Sequence, residues 1–318
     1  MRIFLAGATG VLGRRLIAQF RGRGHEVVGL ARSLGNESTI AVLGGTPRRG
    51  DLYDVESIAQ AAEGADVVVR AATAIPRGAR FRPRDWIAND RIRREGTRAL
   101  TEAAARVHAR LYLQEGIVWV AQPETGAPFD ETSPVAPRLW YGSAADAESI
   151  ARDAGRRHGF EVATLRFGMF YGSDAAQTRL MGDALRRRRL PILGPGDAAW
   201  SCIHLDDAAS AMVAAAEAGG SGLWHVVDDR VVTMAEFFRT FAAVLEAPEP
   251  RRVPVSLAKL LIGRSTVSFL TASTRTTNAR IRRDLGWSPR FPTIWEGLLE
   301  VAEAWKADGF PSPQGAGR

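Results

Sequence analysis

Seven residues, Gly-Ala-Thr-Gly-Val-Leu-Gly at positions 7–13, follow directly on the strand-like run RIFLAG. They open a stretch in which Leu12, Leu16, Ile17 and Phe20 recur at helical spacing until Gly24 closes it. This context restricts what the chain can fold into. A strand that turns at once into a helix through three glycines uses Gly7 for the tight turn. Gly10 lets backbone approach a pyrophosphate, and Gly13 lets the helix pack closely on the sheet. Thr9, Val11 and Leu12 complete the loop, and the helix N-terminus faces the phosphate charge. The pattern predicts a dinucleotide cradle.

Further strand-like runs at 26–32, 46–52, 65–72, 110–116 and 161–172 alternate with amphipathic helical ones, such as that from Thr97 to His108. This alternation predicts an α/β fold, a Rossmann-like doubly wound parallel sheet with helices on both faces. Beyond residue 172 the pattern changes to a turn-rich piece, a helix after Asp206, the strand-like GLWHVVDD, and a helix that Thr233 opens with Glu236 at capping-box spacing. The expected organisation is a Rossmann domain over 1–172 to which 200–230 returns. Segments 173–199 and 231–318 then form a smaller, interleaved C-terminal substrate lobe, with a disordered tail after Phe310.

The tip of the second strand chooses the dinucleotide. It reads Leu30, Ala31, Arg32, Ser33, with no carboxylate to hold ribose hydroxyls and repel a 2′-phosphate. Arg32, with Arg14 or Arg15 from the loop side, can hold that phosphate. One charge-assisted bond of about 1.5–3 kcal/mol favours NADP(H) over NAD(H) roughly ten- to a hundredfold.

Charge and composition exclude other classes. The net charge of +7 comes from scattered arginines, since only Lys259 and Lys306 are lysines, and the dense run Arg186–Arg189 lacks interleaved aromatics, so no nucleic-acid partner is expected. Cys202 stands alone, so there is no internal disulfide. The start MRIFLAG lacks the regions of a signal peptide, and no apolar run reaches the ~20 residues of a membrane span. A cytoplasmic location and no membrane partner are expected. No His, Cys, Asp and Glu cluster has metal-ligand spacing, so no metal is expected.

At this point the chain resembles the short-chain dehydrogenase/reductase superfamily in its extended, epimerase/dehydratase-like branch. The resemblance rests on GATGVLG, GDL at Gly50–Leu52, AAT at Ala71–Thr73, EGTRAL at Glu95–Leu100, LRFGMFYG at Leu165–Gly172, IHLDDAASAM at Ile203–Met212 and WHVVDD at Trp224–Asp229. It implies that Asp51, beside Leu52, lies against the adenine and that Ala71, Ala72 and Thr73 line the cofactor. Dimers formed through the tyrosine helix are common in that superfamily, and a small-molecule substrate is implied.

The superfamily's working pair, Tyr-x-x-x-Lys, is only half present. Tyr141 matches the tyrosine, but the lysine position is Ala145. Residues four apart share a helix face, so a lysine there would sit beneath the phenol. Without it a phenol of pKa near 10 is only about 0.1% ionised at neutral pH, a poor base but an acceptable proton donor. The strand-end hydroxyl position falls on Glu115, with Gln114 or Gly116 if the register shifts by one. Burial there would raise a carboxyl pKa into an acid/base range. Trp200 occupies the place of the arginine that relatives acting on nucleotide sugars direct at a diphosphate. With Trp140 and Met169, and with Phe170 and Tyr171 close by, it predicts an apolar pocket. Asp206 or Asp207 is expected to cap the next helix and His204 to tie down its loop.

The expected activity is NADP(H)-dependent reduction of a hydrophobic small molecule, a ketone or enone, with Tyr141 or Glu115 handling the proton. The alternatives are a non-redox dehydratase, isomerase or cyclase using Glu115, and a dinucleotide-binding protein without turnover.

Overall fold

The structure, a computed structural model, describes residues 1–76, 82–137 and 141–309. The first half runs β1 (Arg2–Ala6), α1 (Val11–Gly22), β2 (Glu26–Ala31), α2 (Leu34–Val42), β3 (Thr46–Arg49), α3 (Val55–Ala61), β4 (Val67–Arg70), α4 (Ile87–Arg91), α5 (Thr97–Arg106), β5 (Leu111–Ile117), α6 (Gly142–His158) and β6 (Glu161–Phe167). The second runs β7 (Met169–Tyr171), α7 (Ala176–Arg186), β8 (Ile192–Leu193), β9 (Ala199–Trp200), β10 (Cys202–His204), α8 (Leu205–Ala218), β11 (Gly222–Val226), β12 (Val232–Thr233), α9 (Met234–Val244), β13 (Arg252–Val253), α10 (Val255–Ile262), α11 (Arg264–Leu270), α12 (Ala279–Leu285) and α13 (Ile294–Ala307).

Among the described residues, seven strands form one parallel sheet in the order β11, β6, β5, β4, β1, β2, β3. Helices cover both faces, which is why β1 and β4 read as unbroken apolar runs rather than alternating ones. Ile3, Leu5, Val67, Val69, Leu111 and Leu113 pack on the α1 and α8 side, while Phe4, Val28, Val68 and Tyr112 pack on the side of α3 and α5. The order reverses between β1 and β4, and ligands of open parallel sheets bind at that crevice, beyond the strands' C-terminal ends.

The apolar run 161–172 is not one strand. Gly168 splits it into β6 of the large sheet and β7, which pairs with β10. A Cβ at Gly168 would lie 2.3 Å from the Ser201 carbonyl oxygen, so the break is a close approach of two backbones. A second core is built on Phe237, Phe238 and Phe241 of α9 with Leu298 and Trp305 of α13. Thr233 caps α9 by accepting from Glu236 N at 3.0 Å, but the Glu236 carboxylate turns to Arg230 instead of closing the box. His204, not Asp206 or Asp207, caps α8, because its Nδ1 accepts from Asp206 N at 3.3 Å. Asp207 instead accepts from the backbone of Arg290 and Phe291. The expectation for the tail after Phe310 lies outside the described residues. No described helix is long and apolar enough to cross a membrane.

Buried His225 in β11 carries a pH signature. Its Nδ1 meets Thr276 Oγ1 at 2.7 Å, and burial, with Arg166 nearby, lowers its pKa from 6.5 to about 3. The folded chain therefore keeps the ring neutral where an unfolded chain would protonate it. Its contribution is intact above 6.5 and is lost as pH falls towards 3, at a limit of about 1.4 kcal/mol per pH unit. Urea unfolding of His225→Asn between pH 7 and pH 4 should show a shallower pH dependence than the parent chain. Equal slopes would contradict this.

Candidate dinucleotide and substrate site

The cradle is shaped by space that only glycine leaves. Gly7 has φ of 95°, and a Cβ there would lie 2.5 Å from Ala72 N and 2.6 Å from Ala71 C. A Cβ on Gly13 would lie 2.0 Å from the Gly7 carbonyl oxygen. No side chain caps α1, whose first turn carries no acidic residue, so its N-terminal amides face the crevice uncompensated. These features fit a pyrophosphate. Leu12 is buried in the core and Val11 packs against it. Asn36 Nδ2 donates to Thr9 Oγ1 at 3.1 Å and ties the loop to the start of α2, which Ser33 caps.

At the β2 tip, Arg32 is exposed and has no side-chain partner among the described residues. Arg14 and Arg15 are not its helpers. Arg14 meets Asp174 at 2.5 Å, and Arg15 meets both Asp174, at 2.7 Å, and Asp206. Burial opposes ionisation of Asp174, yet the two guanidiniums hold it below the usual carboxylate range. Both arginines are thus engaged in joining α1 to the loop before α7. Asp51 is exposed and accepts from Tyr53 N at 2.9 Å, while Leu52 is buried. Ala71, Ala72 and Thr73 leave β4 beside Gly7, progressively more exposed.

The pairing of β5 with β6 sets Gln114 against Thr164, Glu115 against Leu165 and Gly116 against Arg166. Glu115 is not a lone carboxyl in an apolar pocket. Its oxygens lie 3.7 Å from Arg70 Nη1 and 3.8 Å from Arg93 Nη2, all three side chains being almost fully buried. Neither arginine was signalled by the sequence, because residues 70, 93 and 115 meet only through tertiary structure. An acid/base role would need the carboxyl turned to the cleft, whereas its oxygens face guanidiniums. Beside it, Arg166 grips Glu148 through two bonds of 2.9 and 2.7 Å.

Tyr141 sits at the N-cap of α6, buried with Val120 and Ala144 and 6.2 Å from the Trp119 ring. Ala145 lies on its face one turn on. The two lysines are exposed on α10 and α13. Next to this cluster, Trp119, Met169, Trp200, Phe269, Ala272 and Thr274 line a cavity of about 10 Å³, room for about one water. No charged side chain lines it. Met169 and Trp200 were expected here; Trp140 lies outside the described residues. Phe170 packs on the sheet core, and Tyr171 is buried and donates to Asp228 at 2.9 Å, so neither faces the pocket. Trp119 and Phe269 were missed, since neither stands in a motif. No group of acidic, His or Cys side chains among the described residues could hold a metal ion.

The chain is similar to known proteins. Residues 3–226 match the NAD dependent epimerase/dehydratase family. The chain is 35% identical to a 3-diazoavenalumate denitrifying reductase from a Streptomyces species, covering 94% of this chain and 99% of that one. It is 26% identical to a 4-hydroxy-2-methyl-3-oxo-4-farnesyl-3,4-dihydroquinoline-1-oxide ketoreductase of Stigmatella aurantiaca, covering 99% and 98%. In fold it is similar to a human epimerase family protein crystallised with NADPH, with a TM-score of 0.80 at 23% identity over 95% of this chain and 99% of that one. The chain therefore belongs to the NAD dependent epimerase/dehydratase family, as an enzyme of oxidoreductase type that works with a nicotinamide dinucleotide.

Proposed function

We propose that this enzyme is an NADP(H)-dependent reductase of an aromatic small molecule, and that its substrate is reduced without a proton from a lysine-sharpened tyrosine. The observation that carries the reading is Ala145 one helical turn from Tyr141. When bound, the reduced dinucleotide supplies a hydride.

Two substrate classes appear in the names of the reductase relatives, a diazo compound and ketones. They differ in proton demand. Ketone reduction leaves an alkoxide that must be protonated, and a positioned general acid contributes roughly 10²–10⁴-fold to such a step. Replacement of N2 on an aryl diazonium carbon by hydride gives an arene and N2, and balances with no proton. The absent ammonium therefore favours the diazo class. The cavity itself holds about one water and must open to admit a ring, but the faces of Trp119, Trp200 and Phe269 around it agree with this, because aromatic faces attract a cationic group by about 0.5–2 kcal/mol.

Arg32 selects the dinucleotide in this reading, its exposed guanidinium pairing with a 2′-phosphate. Tyr141 closes the inner wall and orients the ring.

The experiment presents an ortho-diazophenol and the ketone with the same ring to the protein, following NADPH absorbance and N2 release. The diazophenol should be consumed at least about a hundredfold faster than the ketone, in line with the missing acid. In Arg32→Glu the NADPH-over-NADH preference should fall by roughly ten- to a hundredfold or more. N2 release no faster than with heat-inactivated protein, or an unchanged coenzyme preference in the variant, would refute the corresponding half of the reading.

A further inference from the structure

We infer that Arg70, Glu115 and Arg93 form a buried clasp that positions the cofactor-facing wall after β4 against the helix bearing Tyr141. The inference rests on the reductase reading above and assigns Glu115 a part that needs no proton transfer.

Each end of the clasp holds something that matters at the crevice. Arg70, the last residue of β4, donates to the backbone carbonyl of Glu115 and, at 3.3 Å, to that of Ala72. Ala71 and Ala72 are the backbone that leaves Gly7 no room for a Cβ. Arg70 thus fixes one wall of the cradle. At the other end, Arg93 lies in a π-helical turn, Ile92–Gly96, between α4 and α5. Such turns insert an extra residue and redirect side chains, and they recur at functional sites. The turn packs against α6, whose N-cap is Tyr141. Glu115 lies between the two guanidiniums, at 3.7 and 3.8 Å.

The charges explain why the parts move together. Glu115 is the carboxylate between the two guanidiniums and acts more strongly on Arg93 than Asp90 or Glu148 do, so its removal leaves two like charges buried side by side with weaker compensation. Arg93 Nε and Nη1 and Glu115 Oε2 have no hydrogen-bond partner among the described residues, so the clasp is held by charge more than by directed bonds. Burial lowers the Arg93 pKa against the pull of Glu115. Glu115→Gln should therefore loosen the wall relative to α6, and Arg93→Met made with it should restore the balance by removing the surplus cation.

The test uses the full chain, NADPH and the ortho-diazophenol. Glu115→Gln should lower kcat by about tenfold or more while the NADPH Kd moves less than about threefold, with the shape of the pH–rate profile unchanged. The double variant should recover at least about half of that loss on a logarithmic scale, the signature of coupled residues. The emission of bound NADPH should shift in the single variant and return in the double one, a readout that needs no turnover. Should Glu115→Gln fail to fold, Arg93→Gln, which leaves Glu115 with Arg70, is read by the same split between kcat and Kd.

An unchanged kcat, a pH limb lost with the carboxyl, or simply additive variants would overturn the clasp. A parent chain that binds NADPH but consumes no substrate sinks the reductase reading alone, and the emission measurement still decides the clasp.

Discussion

Gly13→Ala should lose NADPH, with Kd rising by at least about a hundredfold, close to 2.7 kcal/mol. The added methyl would lie 2.0 Å from the Gly7 carbonyl oxygen and 2.8 Å from Ala8 Cα, both of them backbone, so no side chain can swing aside. The turn after β1 must open, and the amides at the head of α1 then turn away from the pyrophosphate position. The result runs against local propensity, because alanine in a helix is worth about 1 kcal/mol more than glycine. Gly22→Ala, at the far end of α1 where a Cβ meets nothing within 4 Å, is the matched control and should bind NADPH like the parent. Titration of NADPH fluorescence checks both. Equal affinity in the two variants would remove the cradle from the account.

Ala145→Lys should turn a poor alcohol oxidant into a better one. The new ammonium, four residues from Tyr141 on the same helix face, stabilises the phenolate and lowers the phenol pKa. A fall of one to two units, at about 1.4 kcal/mol each, raises the phenolate fraction at neutral pH by roughly ten- to a hundredfold. The sign is set by the charge. A cation favours the ionised phenol, so the rise of oxidation rate with pH should move to lower pH. Ala145 is half-buried beside Ile117 and Trp119, which gives the lysine stem apolar surface to follow. NADP+ reduction by a panel of benzylic alcohols, measured from pH 6 to pH 10, reads the effect. An identical profile in the variant would mean that Tyr141 does not face the reacting centre.

The large sheet was legible because β1 and β4 are nearly continuous apolar runs, because the other strands alternate with amphipathic helices, and because the glycine loop announces β1 and α1 together. The edge strand β3, with Pro47 and two arginines, was weaker for the reason that one flank of it is unpaired. What the sequence concealed depends on chain segments meeting from far apart. Gly168 looks like part of a strand until Ser201 is brought against it. His204 looks like a loop residue until its ring turns back on Asp206 N. Arg14 and Arg15 sit where a phosphate could use them, but Asp174, some 160 residues on, takes both. Glu115 stood out because it falls on the strand-end hydroxyl position that the resemblance implies, yet its meaning comes from Arg70 and Arg93, and a π turn lies outside any 3.6-residue pattern.

The segment from Phe269 to Asn278 has a consequence for how such an enzyme changes. It supplies Phe269, Ala272 and Thr274 to the cavity, and it is stitched down by its own polar atoms: Ser273 to Gln122 and Ala199, Thr274 to Ser201, Asn278 to Val227. Phe269 and Ala272 lie just ahead of these fasteners, while Thr274 both lines the cavity and is itself fastened. Descendants of this chain can thus rewrite the shape of that wall by exchanging Phe269 and Ala272 on one short ribbon, leaving untouched the glycine turn between β1 and α1.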